Sequence, residues 1–96
     1  METHQLIKFE DVCLHHNLDN GFIAQIKEFE IIDFIVKDNI LFIAITDMPV
    51  IERVIRLHYD LNINMEGIEV IQQMRNRIEH LQKTVQQLQN QLAIHQ

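Results

Sequence analysis

Ile71, Met74, Ile78, Leu81, Val85, Leu88 and Leu92 recur at alternating spacings of three and four over the last third of the chain. That is a heptad stripe, with β-branched residues at most a positions and leucine at two of the d positions, and it predicts a coiled-coil helix. No residue between Gly67 and Gln96 breaks it, so a single helix is predicted from Met65 nearly to the end. Such a helix is roughly 45 Å long at 1.5 Å per residue. The 96-residue chain leaves only some 65 residues for a head. A helix this long outruns that head, which favours association between chains over a return of the stripe onto its own core. A head so small also gains from help in burying apolar surface. A homodimer through this helix is therefore expected. The flanking e and g positions (Arg75, Gln82 and Gln89; Arg77, Thr84 and Gln91) are nearly uncharged and leave parallel and antiparallel pairing open.

The preceding residues divide by period. Phe9, Val12, Cys13 and His16 share one helical face and predict a short first helix over about 9–16. Asn17 to Gly21 has turn chemistry, with Asp19 placed to cap a second helix whose stripe is Phe22, Ile23, Ile26 and Phe29. Two short helices joined by a few polar residues form a helix-turn-helix pattern. The period then becomes two: Ile32, Phe34 and Val36, a turn at Lys37-Asp38-Asn39, then Leu41, Ile43 and Ile45, which predicts a β-hairpin or wing with both faces rather apolar. Thr46 and Asp47 are positioned to cap a third helix with Pro49 in its first turn and a stripe of Val50, Val54, Leu57 and Leu61. Asn62 or Asn64 ends that segment and opens the long helix. The expected fold is mostly α with a small β-hairpin: a winged helix-turn-helix head over 1–64 and a coiled-coil dimerisation helix over 65–96.

Several function classes fall away. The chain has no serine and only Gly21 and Gly67 as glycines, so it lacks a nucleophile elbow, a phosphate-cradling loop and a dinucleotide fingerprint. No enzymatic activity, catalytic residue or cofactor is expected. Charge interrupts every apolar run well short of the roughly 20 residues of a membrane span, and the acidic start does not resemble a signal peptide. The single cysteine, Cys13, cannot form an internal disulfide and fits a reducing cytoplasm. A soluble cytoplasmic protein is expected.

The stretch "DVCLHH" at 11–16 suggests a metal or thiol site, and helical geometry argues against it. Successive residues rotate by about 100°, so Cys13 and His15 lie about 200° apart and cannot close on one ion. Cys13 and His16 do share a face, but it is the core face of Phe9 and Val12, and zinc would need two further ligands from distant histidines such as His58 or His80. No metal site is expected; Cys13 is a buried small hydrophobe, His16 a partly buried edge residue, and His15 points outward.

A winged helix-turn-helix suggests DNA binding, and charge opposes it. Between Leu18 and Ile40 stand five acids (Asp19, Glu28, Glu30, Asp33 and Asp38) against Lys27 and Lys37, a balance of −3. Over residues 1–67 there are 12 acids and 5 bases, or −7, whereas 68–96 has 2 acids and 3 bases, or +1. Affinity for nucleic acid rests mainly on Lys and Arg at phosphates, so an acidic head would be repelled by a duplex.

The order of elements resembles the MerR-type winged helix-turn-helix. Three local stretches, "VCLHHNL", "RVIRLHYDLNI" and "GIEVI", resemble the CbpM family of chaperone modulators within it. The resemblance covers nearly the whole chain. It implies a non-enzymatic regulator that binds the J-domain of a DnaJ/CbpA-like co-chaperone and opposes its stimulation of Hsp70; the alternative is a MerR-like DNA-binding transcriptional regulator. J-domains of this kind present a basic helix, which an acidic surface would attract. On that basis the expected partner-binding residues are Asp11, His15, Asp19, Glu28, Glu30 and Asp33. Any one of these acids can equally be a solvated surface charge of little energetic weight. Arg53 and Arg56, three apart on the third helix, are expected to pair with Glu52, Asp60 or an acid of the first helix and so lock the head. Tyr59 is expected to be half-buried with its hydroxyl in water. Two departures stand out: "DFIVKDNILF" lacks the arginines and glycine of DNA-binding wings, and Glu30 stands where many relatives have glycine after the second helix, which puts a left-handed cap there in doubt.

Overall fold

The computed structural model describes residues 5–94. Positions 1–4 and 95–96 lie outside the described residues, and with them Glu2 of the charge count and the last step of the long helix toward Gln96. The chain runs β1 (Leu6–Lys8), α1 (Phe9–His15), α2 (Asn20–Glu28), β2 (Ile35–Lys37), β3 (Ile40–Ala44), a 3-10 turn (Ile45–Asp47), α3 (Met48–Tyr59) and α4 (Met65–Ile94). The expected helices and hairpin are present. The sheet has a third strand that the sequence pattern did not reveal.

β3 is the central strand, with β1 and β2 antiparallel on either side. The β2–β3 hairpin sets Val36 opposite Leu41 and Lys37 opposite Ile40. Asp38 and Asn39 make its two-residue turn, both at positive φ (52° and 63°), as a type I′ connection requires. The expected strands are trimmed at both ends. Ile32 drops into the core before pairing begins, and Ile45 opens the 3-10 turn while its N–H donates to the Gln5 carbonyl at 2.9 Å. β1 docks Ile7 opposite Ile43, the buried centre of the sheet.

The core lies where α1, α2, α3, β3 and the first turns of α4 meet. Phe22, Ile26, Ile43, Ile51, Val54, Met65 and Ile68 are all essentially inaccessible to solvent. The α3 stripe differs from the expected one. Ile51 and Val54 are its buried residues, Val50 and Leu57 are half-buried, and Leu61 is exposed beyond the helix end. The helix begins at Met48 and turns its Ile51–Val54–Ile55–His58 face inward, a rotation the apolar residues on both flanks had masked. The cap assignment also changes: Asp47 holds the N-cap position in helical geometry, without a side-chain hydrogen bond, because the 3-10 turn leads directly into α3.

Three chain reversals rely on left-handed residues: Asn17 (φ 54°), Glu30 (φ 51°) and Asn62 (φ 57°). After α1, Leu18 N–H donates to Cys13 O at 3.0 Å and Asn17 N–H to Leu14 O at 3.3 Å, a Schellman cap. After α2 the same cap forms with Glu30: its N–H reaches Lys27 O and the Ile31 N–H reaches Ile26 O, both at 3.4 Å. The left-handed cap doubted from sequence is therefore made without glycine. A side chain in that conformation costs roughly 1–2 kcal/mol, partly offset because glycine loses more entropy on folding. Glu30→Gly is expected to stabilise the head by about 0.5–1 kcal/mol, raising Tm by several degrees in a thermal melt.

Both candidate asparagines act at the α3–α4 junction. Asn62 supplies the positive φ, and Asn64 caps α4 by accepting from the Gly67 N–H at 2.8 Å. A Cβ on Gly67 would sit 2.8 Å from Ile63 Cγ2 and 3.1 Å from Asn64 Oδ1, so the cap and the Ile63 contact both need glycine there.

Candidate functional site

The expected partner-facing residues separate into two places. On α1, Asp11 and His15 are exposed and four residues apart, on one outward face, with Leu14 exposed beside them. The His15 ring meets that of His16 edge-on at 4.9 Å. At the far end of α2, Glu28, Glu30 and Asp33 are exposed within six residues of chain. Asp19 belongs to neither group. It stands at the opposite end of α2, about 14 Å away along a nine-residue helix.

Asp19 is also occupied internally. Its Oδ1 accepts from the Phe22 N–H at 2.8 Å and its Oδ2 from the Tyr59 hydroxyl at 2.8 Å, while that hydroxyl accepts from the Asp19 N–H at 3.1 Å. The bond from the Phe22 amide, then that from Tyr59, hold the carboxyl below the usual aspartate range. Tyr59 is half-exposed as expected, but its hydroxyl is engaged by protein rather than left to water. Burial raises the phenol above its ordinary value, against the opposing bond from the Asp19 N–H. Beneath this pair the His58 ring stacks on Phe22 at 4.2 Å, within 9° of parallel, and His58 Nδ1 lies 3.2 Å from the Ile63 carbonyl. The α2 start and the α3 end are thereby fastened together.

Cys13 is buried on the face of Phe9 and Val12, and burial raises its thiol above the ordinary range. This is an unreactive environment for a thiol. His16 is half-buried at the edge of that face and His15 is exposed, as the helical rotation predicts. Among the described residues, no three His, Cys, Asp or Glu side chains gather in a way that could hold a metal.

Arg53 does not lock the head onto α1. It donates to Gln72 Oε1 of α4 at 2.9 Å and shares a cleft with Arg56 and Arg75. Arg75 lies beside the heptad stripe, and nothing in the local sequence pattern joins it to Arg56, nineteen residues earlier on α3. The wing contributes exposed apolar residues, Val36 at 62% and Ile40 at 39%, as the two-sided apolar pattern predicts. With Leu14 they are the apolar groups nearest in character to an interface centre. Their signal in the sequence was weak, because a lone exposed aliphatic residue is ordinary.

The heptad stripe is open in the single chain. Ile71 is half-buried against α3, but from Met74 to Leu92 every stripe residue is 50–64% exposed. The radius of gyration is 17.2 Å, against about 12 Å for a compact chain of this length. The stripe does not fold back on its own head. Among the described residues, no helix is long and apolar enough to cross a membrane.

A helix-turn-helix followed by a β2–β3 hairpin wing, whose sheet β1 completes from the N-terminal side, and by a projecting heptad helix defines a winged helix-turn-helix fold. The chain belongs to the MerR HTH family of regulatory proteins, whose family model matches residues 7–90. Neither the curated proteins nor the solved structures gave a match.

Proposed function

We propose that the protein is a non-enzymatic chaperone modulator. It binds the J-domain of a DnaJ/CbpA-like co-chaperone in the cytoplasm, masks it, and so inhibits its stimulation of Hsp70. The observation that carries this reading is the sign of the helix-turn-helix surface. Asp11, Glu28, Glu30 and Asp33 are all exposed on the helix-turn-helix and the segment that follows it, whereas phosphate contacts rest on Lys and Arg. Such a surface steers a basic helix toward it. Leu14 and the wing residues Val36 and Ile40 supply apolar contact, and His15 adds an edge donor on the α1 face. The resemblance to CbpM in "VCLHHNL", "RVIRLHYDLNI" and "GIEVI" supports the same assignment. Asp19 is left a structural role by its two internal bonds. The active form is a homodimer through the exposed α4 stripe.

Membership in a DNA-regulator family favours the second reading, a MerR-like transcriptional regulator. The two readings separate by salt and by charge reversal. Saturable capture of a cognate J-domain is expected at low ionic strength in a fluorescence anisotropy titration. Asp11→Lys with Glu28→Lys is expected to weaken it about tenfold or more. Failure of the unmodified protein to bind any J-domain from its own organism at about 50 mM salt would end the proposal. Retardation of genomic DNA fragments under the same conditions, with a steep salt slope, would favour the second reading.

A further inference from the structure

The chain carries eight lysines and arginines, and three of them, Arg53, Arg56 and Arg75, line one cleft between α3 and the beginning of α4. Glu52 is the one carboxylate in the lining, so the cleft is locally +2 on a protein of net charge −6. The contact that Arg53 makes across it is to the neutral amide oxygen of Gln72, which orients the guanidinium without matching its charge. Partial burial and the neighbouring Arg75 hold the Arg53 guanidinium below its ordinary range, and the opposing pull of Glu79 is weaker. Gathering like charges costs free energy that an anion in the cleft would offset. Pro49, Leu57 and Ile71 complete the lining, so apolar surface alternates with the cationic rim.

These features select among anions. A guanidinium receives a carboxylate through two parallel N–H···O bonds, and several arginines around an apolar floor suit acids interleaved with an aliphatic side chain. A DNA duplex carries one charge per about 1.7 Å and is repelled by a head whose balance is −7 even with Arg53 and Arg56 counted in it. A short peptide meets only the local field, because charges beyond about 10 Å are screened. The cleft is lined by α3 and the beginning of α4, and none of the exposed acids of α1 and the α2 end is in its lining. We propose that this cleft is a second docking site, which takes a carboxylate-bearing peptide segment, acids flanking an apolar residue, from a partner protein. The molecule then offers two surfaces of opposite sign. This inference does not depend on the J-domain reading, and its test uses no J-domain.

The probe is a short fluorescein-labelled peptide of alternating Glu and Leu, titrated against the full chain by anisotropy at about 50 mM salt. Saturable binding is expected, lost progressively as salt rises. Arg56→Gln with Arg75→Gln is expected to weaken it about tenfold or more, while Lys27→Gln with Lys37→Gln leaves it within about twofold. Amide shifts on the unmodified protein, expected over 49–57 and 71–75, provide a readout that does not depend on how the variants fold. Absence of saturable binding, equal loss in both double variants, or shifts confined to other elements would overturn the proposal. So would displacement of the peptide by millimolar inorganic phosphate, or tighter binding of a duplex of about 20 bp that the same arginine changes abolish.

Discussion

Leu88→Glu is expected to convert a dimer into a monomer. Leu88 is a d position and is 58% exposed in the single chain, so in the proposed homodimer a partner helix would bury it. Fully burying a leucine is worth about 1.5–3 kcal/mol. A two-fold interface loses that contribution twice, about 3–6 kcal/mol, and must also accommodate two carboxylates. The dimer dissociation constant should rise by a factor of about 10² to 10⁴. Glutamate is itself a good helix former, so intrinsic propensity does not cause the change. A second effect accompanies it. Among the described residues, α4 from Ile78 onward packs on no other element of its own chain, and an isolated helix of that length is marginal in water. Dissociation should therefore reduce the helical circular dichroism signal as well as the mass. Light scattering decides the matter: the unmodified protein should give twice the 11.5 kDa of one chain, and the variant 11.5 kDa. An unchanged mass in the variant would show that the stripe is not an interface between chains.

The α4 stripe was legible in the sequence because its signal is local and repeated: each residue is followed by another of the set three or four positions on. The helix-turn-helix and the hairpin turn were legible for the same reason, the turn through Asp38-Asn39 and the second helix through Asp19. β1 was not. Three residues are too few to show alternation, and their partner strand lies more than thirty residues away. The inward face of α3 was misjudged because Val50, Ile51, Val54, Ile55 and Leu57 leave two adjacent faces nearly equally apolar, and only packing decides between them. The acids of the candidate surface could be counted from sequence, but not divided. Tertiary contact with Tyr59, forty residues away, is what withdraws Asp19 from that set. The arginine cleft was illegible for the same reason, since it joins α3 to α4.

The fastening of α2 to α3 makes Phe22 the position where truncation should cost most. Phe22 is almost fully buried, its ring stacks on His58 and meets Tyr59 edge-on at 5.2 Å, and its N–H donates to Asp19. Removing such a ring from a core costs about 3–5 kcal/mol. A head of some 65 residues has total stability of about 3–10 kcal/mol, so Phe22→Ala should leave it largely unfolded near 37 °C. Chemical denaturation checks this through a collapse of the midpoint, and a change within about 1 kcal/mol would remove Phe22 from the centre of the core. The pH dependence isolates the polar half of the same fastening. The Asp19 carboxyl lies below the usual aspartate range in the folded chain, so its contribution is fully present above the unfolded value near 3.8 and is lost as pH falls through the lower folded value. Asp19→Asn keeps a cap acceptor but cannot titrate. Its melting temperature should therefore fall less than that of the unmodified protein between about pH 5 and pH 2, and parallel curves would mean that the bonds from the Phe22 N–H and then the Tyr59 hydroxyl do not favour the ionised Asp19 in the folded chain.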